Sequence, residues 1–177
     1  MSANGDPVNG GGAPLAGRHA VVTGGGRGIG LAIARRLATL GASLTLVGRD
    51  RGVLDDAVRR MPAGTRCDAL TCDVSEARAV DKAFDAIARA GHPMAILVNN
   101  AGAARSAKFA ATDDALWNEM LAVNLTGTFL CTRAALPALL AAPIGRVVNV
   151  ASTAALVGYP YVAAYCAAKH GVVGLTR

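Results

Sequence analysis

Large rings are scarce in this chain: of 177 residues only 4% are Phe, Trp or Tyr, while 53% are hydrophobic. The core has to be assembled from Ala, Val and Leu, a composition that suits helices packed closely on a parallel sheet. Cysteine is sparse as well. Cys67, Cys72, Cys131 and Cys166 form no C-x-x-C pair and no His stands at zinc-ligand spacing, so neither a disulfide framework nor a metal site is expected, and the chain reads as cytoplasmic. Acidic residues are outnumbered 12 to 18 by Lys and Arg, for a net charge of +6. That balance permits anionic partners, from nucleotide phosphates to nucleic acid. The arginines are scattered, no aromatics interleave them and the lone Trp117 lies in a helical pattern, so no nucleic-acid surface is expected. An uncharged stretch at 147–168 is long enough to raise the question of a membrane span. It is interrupted by Asn149, Ser152, Gly158, Pro160 and three tyrosines, and no membrane segment is expected from it. Residues 1–16 are rich in Gly, Asn and Pro and contain no apolar signal segment, which predicts a disordered lead-in. The remaining 17–177 suit one compact domain able to bury roughly 70% of the surface its unfolded form exposes.

What is present is an alternation. Residues 18–23 form a short apolar run ending in glycines, and 29–40 then repeat apolar residues at helical spacing up to Gly41. Residues 43–47 read as a second strand and 51–60 as a second helix closed off by Pro62. A third strand is expected at 67–71, a helix capped by Ser75 and running to about 90, and a fully apolar fourth strand at 95–98. Thr112 is expected to cap a long helix reaching about 141, kinked at Pro137, followed by a fifth strand at 146–150 and a last helix from about Tyr161. Strands separated by helices, with no internal repeat, predict an α/β fold: a doubly wound parallel sheet with helices on both faces. Such sheets bind ligands at the carboxyl ends of their strands, where the motifs of this chain fall.

The first of these is Thr23-Gly-Gly-Gly-Arg-Gly-Ile-Gly30, at the turn from first strand to first helix. Glycines at 24, 28 and 30 allow positive φ and close backbone approach, and the helix N-terminus offers free amides and a positive dipole end to a pyrophosphate. An ordinary flexible loop is the bland alternative; the position between strand and helix favours a nucleotide.

The spacing G-x-x-x-G-x-G preceded by Thr23 resembles that of the short-chain dehydrogenase/reductase superfamily, and the resemblance extends over nearly all of 18–177. Asn99-Asn-Ala-Gly102 matches the family's turn after the fourth strand, Asn124 its helix asparagine, and Ser152, Tyr165 and Lys169 its catalytic set. The resemblance implies a Rossmann-like fold and hydride transfer between a nicotinamide cofactor and a carbonyl or alcohol. It implies cofactor contacts from Thr23, Gly24, Gly26, Arg27, Gly28, Ile29 and Gly30, from Asn100, Ala101 and Gly102, and from Tyr165 and Lys169, with Asp73 and Val74 at the adenine ring. Asp73 could equally be a turn former or a helix cap. Members using NAD end the second strand with an acid; here that position is Gly48, followed by Arg49, and with Arg27 two guanidiniums are available to a 2′-phosphate. NADP(H) is therefore favoured, with NAD(H) the alternative through Asp50 and solvated loop residues the bland reading of both arginines.

Tyr165 and Lys169 stand four apart on a helical segment and so share a face, although Tyr and Lys at that spacing also occur by chance as a surface pair. A tyrosine serving as acid or base near neutrality needs its pKa lowered by about 3 units, about 4 kcal/mol. The resemblance assigns that to Lys169, proton donation to Tyr165, hydrogen bonding of the reacting oxygen to Ser152, and a helix kink holding a proton-relay water to Asn124. Asn124 as a plain polar helix residue is the alternative. His170, His19 and His92 are expected to be structural, His19 at a strand edge. Tyr159, Pro160, Tyr161 and Arg105 are expected on the wall of a pocket for a small carbonyl or alcohol substrate, and the resemblance to ketoreductases points to a 3-oxoacyl thioester. Family members continue with further strands and a substrate-binding helix. The resemblance thus implies a C-terminally truncated chain lacking the C-terminal strands, weakly active or inactive alone, from a parent that forms homo-oligomers. A nucleotide-binding remnant without turnover and an NAD-dependent alcohol dehydrogenase are the competing readings.

Overall fold

The computed structural model describes residues 13–177. Five strands, β1 (His19–Thr23), β2 (Ser43–Gly48), β3 (Cys67–Thr71), β4 (Met94–Asn99) and β5 (Arg146–Asn149), form one parallel sheet in the order β3-β2-β1-β4-β5. Between them run α1 (Gly28–Thr39), α2 (Arg51–Arg59), α3 (Ala77–Arg89), then α4 (Asp114–Leu121) and α5 (Gly127–Ala141), with α6 (Ala163–Thr176) after β5. The strands are short and mostly β-branched or Leu, and their alternation places Ala20, Val22, Leu44 and Leu46 in one buried cluster and Val21, Val47 and Leu97 in the other. α1 and α2 close the first face, α3 and α5 the second. Both faces of β1 and β4 are therefore dry, which is why these strands carry no polar alternation.

The chain builds outward from β1 to β3, then returns past β1 to lay down β4 and β5. The strand order reverses between β1 and β4, where the two βα loops part and leave a crevice. Among the described residues β5 pairs with β4 alone and leaves Val147 and Val148 partly exposed.

Several boundaries differ from expectation. Residues 13–16 are not lead-in: they form a turn in which the Leu15 amide donates to the Leu40 carbonyl (2.8 Å) and Leu15 packs on the α1–α2 side of the core. The expected disorder at 1–12 lies outside the described residues. Ser75 does not cap α3; its amide and hydroxyl both donate to the Asp73 carboxylate (3.0 and 2.7 Å), so the acid two residues upstream shapes the turn. Asp113, not Thr112, caps α4 through the Leu116 amide (2.8 Å). The long helix passes through Pro137 without a break, and its irregularity falls at Ala122–Thr126, a π-helical stretch centred on Asn124. His19 is not at an edge. β1 is the middle strand, and the imidazole is buried between Ser43 and Thr45. The helical run Asp114–Ala141 is long and apolar enough to cross a membrane by length and composition alone, but it is packed against β4, α3 and α6.

Candidate active site

A cleft of about 670 Å³ opens at the carboxyl ends of β1, β2 and β4. Its floor is the glycine turn. Gly24 has φ +63°, and a Cβ there would stand 2.8 Å from the Asn100 side chain; a Cβ at Gly30 would overlap the Gly24 carbonyl. The turn is held shut from below. Thr23 is buried, its hydroxyl donating to the Val98 carbonyl (3.3 Å) and accepting from the amides of Asn100 and Ala101 (both 3.0 Å). Asn100 in turn donates through Nδ2 to the carbonyls of Thr23 (3.0 Å) and Gly24 (3.2 Å). The Thr23 and Asn100 side chains thus tie the two loops of the crevice together, and the glycines leave a bare backbone cradle at the start of α1. That cradle, at a helix N-terminus and bare of side chains at Gly24, Gly28 and Gly30, fits a dinucleotide pyrophosphate.

Of the expected cofactor residues, Gly24, Gly26, Arg27 and Ile29 line the cleft, as do Arg49, Asp73 and Val74, and Asn100, Ala101 and Gly102 on the far wall. Thr23, Gly28 and Gly30 shape the turn without lining it. Gly48, Asp50, Val53, Leu54, Cys72 and Val123 also line it. Gly48 and Asp50 were legible as the end of the second strand, whereas Val53 and Leu54 reach the cleft because α2 lies against it and Val123 because the π-helical stretch does. Arg49 stands 4.0 Å from the Asp73 carboxylate, an exposed pair of little stabilising value. Asp50, the acid that competed for the ribose, accepts the Val53 amide (3.0 Å) as the N-cap of α2. That cap engages Oδ1.

The catalytic candidates gather beyond the far wall. Lys169 is buried on α6, donates to the Val150 carbonyl (2.8 Å), and places Nζ 5.8 Å from the centre of the Tyr165 ring. Burial pushes its pKa below that of a free lysine. Tyr165 is half-buried against Leu116, Met120 and Ala164. Ser152, at the turn following β5, accepts the Ala154 amide at Oγ (3.1 Å), leaving its hydroxyl proton to donate elsewhere. Asn124 is fully buried in the π-helical stretch: Oδ1 accepts the Ala103 amide (3.3 Å), and Nδ2 donates to the carbonyls of Ala103 (2.9 Å) and Met120 (3.0 Å). Gly102 joins the two groups. A Cβ there would lie 2.7 Å from Asn124 Oδ1 and 3.7 Å from Lys169 Nζ, so the nucleotide cleft and the Tyr–Lys pair share a wall. Arg105, expected on the pocket wall, is paired with Glu119 (2.6 Å). His170 bonds the Cys166 carbonyl of its own helix (2.9 Å) and is exposed. Among the described residues no cluster of His, Cys, Asp or Glu could hold a metal, and the four cysteines are unpaired.

The family model for short chain dehydrogenases matches residues 18–177. 2-(S)-Hydroxypropyl-CoM dehydrogenase 3 of Xanthobacter autotrophicus is 41% identical over 88% of this chain and 62% of its own length. Galactitol 2-dehydrogenase (L-tagatose-forming) of Cereibacter sphaeroides is 41% identical over 92% of this chain and 64% of its own. A variant of actinorhodin polyketide ketoreductase, solved with NADPH, superposes with a TM-score of 0.86 at 38% identity, over 90% of this chain and 62% of that one. The chain spans under two thirds of the length of these relatives. It belongs to the short-chain dehydrogenase family.

Proposed function

We propose that this short-chain dehydrogenase transfers hydride between NADP(H) and a ketone or secondary alcohol. The observation that carries the reading is the buried Lys169 ammonium set over the Tyr165 ring, across one shared wall from a cleft built for a dinucleotide. The bound cofactor supplies the hydride. Tyr165 Oη gives a proton to the developing alkoxide, with the Lys169 ammonium set over its ring. Ser152 directs its free hydroxyl proton at the same oxygen, stabilising charge that exists only in the transition state. Asn124 is a positioning residue. Its side-chain amide ties the π-helical stretch to Ala103 and Met120, and its main-chain carbonyl accepts the Thr128 hydroxyl (2.9 Å).

Arg27 and Arg49, both lining the cleft, support NADP(H) over NAD(H). A charge-assisted bond to a 2′-phosphate contributes about 1.5–3 kcal/mol, tenfold or more in affinity. Likeness to the ketoreductase supports a 3-oxoacyl thioester as substrate. A homo-oligomer is supported by apolar side chains left exposed along α5 and its end, Phe129, Leu136, Leu140 and Ile144.

Fluorescence titration of the protein with NADPH and NADH, followed by acetoacetyl thioester, tests this. NADPH is expected to bind at least tenfold more tightly, the gap closing in Arg49→Ala, and to be oxidised when thioester is added. Tighter NADH binding defeats the assignment of the arginines; binding without oxidation leaves a nucleotide-binding module without turnover as the better reading.

A further inference from the structure

Among the described residues Tyr161 is the only non-glycine residue in the left-handed backbone region, with φ +66°. A Cβ is disfavoured there, where glycine is not. The fold needs the conformation: the Tyr161 carbonyl accepts the Ala107 amide (2.8 Å), clamping the segment after the Asn99–Gly102 turn to the loop that opens α6 two residues later. It does not need the ring. Tyr161 is 61% exposed, its hydroxyl has no hydrogen-bond partner among the described residues, and the ring joins none of the three buried clusters. A strained position that glycine would fill more easily, occupied by a large side chain idle in the fold, marks a side chain retained for a ligand.

Its surroundings define that ligand. Tyr161 lies four residues before Tyr165, on a stretch that also exposes Leu156, Val157 and Tyr159. From Ser152 through Ala168 there is no Lys, Arg, His, Asp or Glu. The nearby Arg105 is neutralised by Glu119. In a protein of net charge +6, the rim is apolar apart from the Arg105–Glu119 pair and Lys108 beside Ala107.

We propose that Tyr161 is a specificity-determining residue, presenting its ring to an uncharged, apolar body attached to the reacting carbonyl. The proposal rests on the hydride-transfer reading and narrows its substrate to ketones without a charged group or polyol chain on this side.

The test compares kcat/KM for 1-tetralone, ethyl acetoacetate and the acetoacetate anion in the parent, Tyr161→Phe and Tyr161→Gly. The parent is expected to prefer the uncharged ketones. Tyr161→Gly is expected to lower the ratio of tetralone to ethyl acetoacetate by about tenfold, mostly through KM, the scale of a lost apolar contact. Tyr161→Phe should keep the ratio, and Tyr161→Gly should melt no earlier than the parent. An unchanged ratio in Tyr161→Gly overturns the proposal. So does a parent that prefers the anion, which would implicate Lys108 next to the clamp, and so does a lowered Tm, which would mean that the ring serves the fold. Should NADPH bind and no ketone oxidise it, the hydride-transfer reading fails separately; equal tetralone affinity for the NADPH complexes of parent and Tyr161→Gly then overturns this proposal on its own.

Discussion

His19 shows how much a single side chain depends on where the topology places it. In the middle strand its ring is held by Ser43 at Nδ1 (2.9 Å) and Thr45 at Nε2 (3.0 Å). The Ser43 hydroxyl also donates to the Arg18 carbonyl, so it accepts from Nδ1–H, and Nε2 accepts from Thr45. Burial, with help from the stacked His92 and from Arg66 and against the pull of Asp68, lowers its pKa from 6.5 to about 4. Because the native pKa is depressed, the unfolded chain takes up this proton first as pH falls. The stability tied to neutral His19 is intact above pH 6.5 and is lost between 6.5 and about 4, by roughly 3 kcal/mol. Urea unfolding across that window is expected to show the loss in the parent and a flatter profile in His19→Gln; parallel profiles would contradict it. The sequence offered His19 as an edge residue because a strand's rank in the sheet depends on which later strand returns beside it.

At the level of elements, periodicity located every strand and the main helices, since these rest on burial of one face and burial is written into the spacing of apolar residues. Caps were less legible. Ser75 and Thr112 are acceptable cap residues, but Asp113 takes the Leu116 amide at the start of α4, and Ser75 is drawn into the turn on Asp73 while α3 is entered at Glu76 with no side-chain cap. Pro137 sits quietly within α5 because a helix packed on two sides keeps its course, whereas the buried Asn124 amide bonds outward to Ala103 and opens the ladder. The glycine turn was legible as a nucleotide turn, and the structure adds what each glycine does. Gly30→Ala sets a methyl group against the Gly24 carbonyl and the Asn100 amide, the two groups that knit the crevice. It is expected to weaken NADPH binding more than tenfold and to lower Tm. Gly174→Ala in α6, where a Cβ meets nothing within 4 Å, is expected to leave NADPH binding unchanged and stabilise by about 0.5–1 kcal/mol through helix propensity. Equal effects of the two substitutions on cofactor affinity would refute this account of the turn.

For the molecule as a whole, the reversal of strand order between β1 and β4 decides where chemistry can occur. It opens the cleft, brings the Asn99–Gly102 turn against the glycine turn, and through Gly102 sets the cleft beside Lys169 and Asn124. Motif spacing could name these residues individually. It could not show that Gly102 lies between the cleft and the Asn124–Lys169 pair, or that Arg105 is paired with Glu119, because each depends on segments far apart in sequence meeting in space. In the proposed function Tyr165 transfers the proton while the cleft holds the cofactor independently of it. The most direct measurement is NADPH oxidation by a ketone in the parent and Tyr165→Phe, alongside NADPH affinity in both. Equal affinity is expected, with a loss of turnover of about 100-fold or more, the scale of a missing general acid. Full turnover by Tyr165→Phe with NADPH bound as tightly would contradict it.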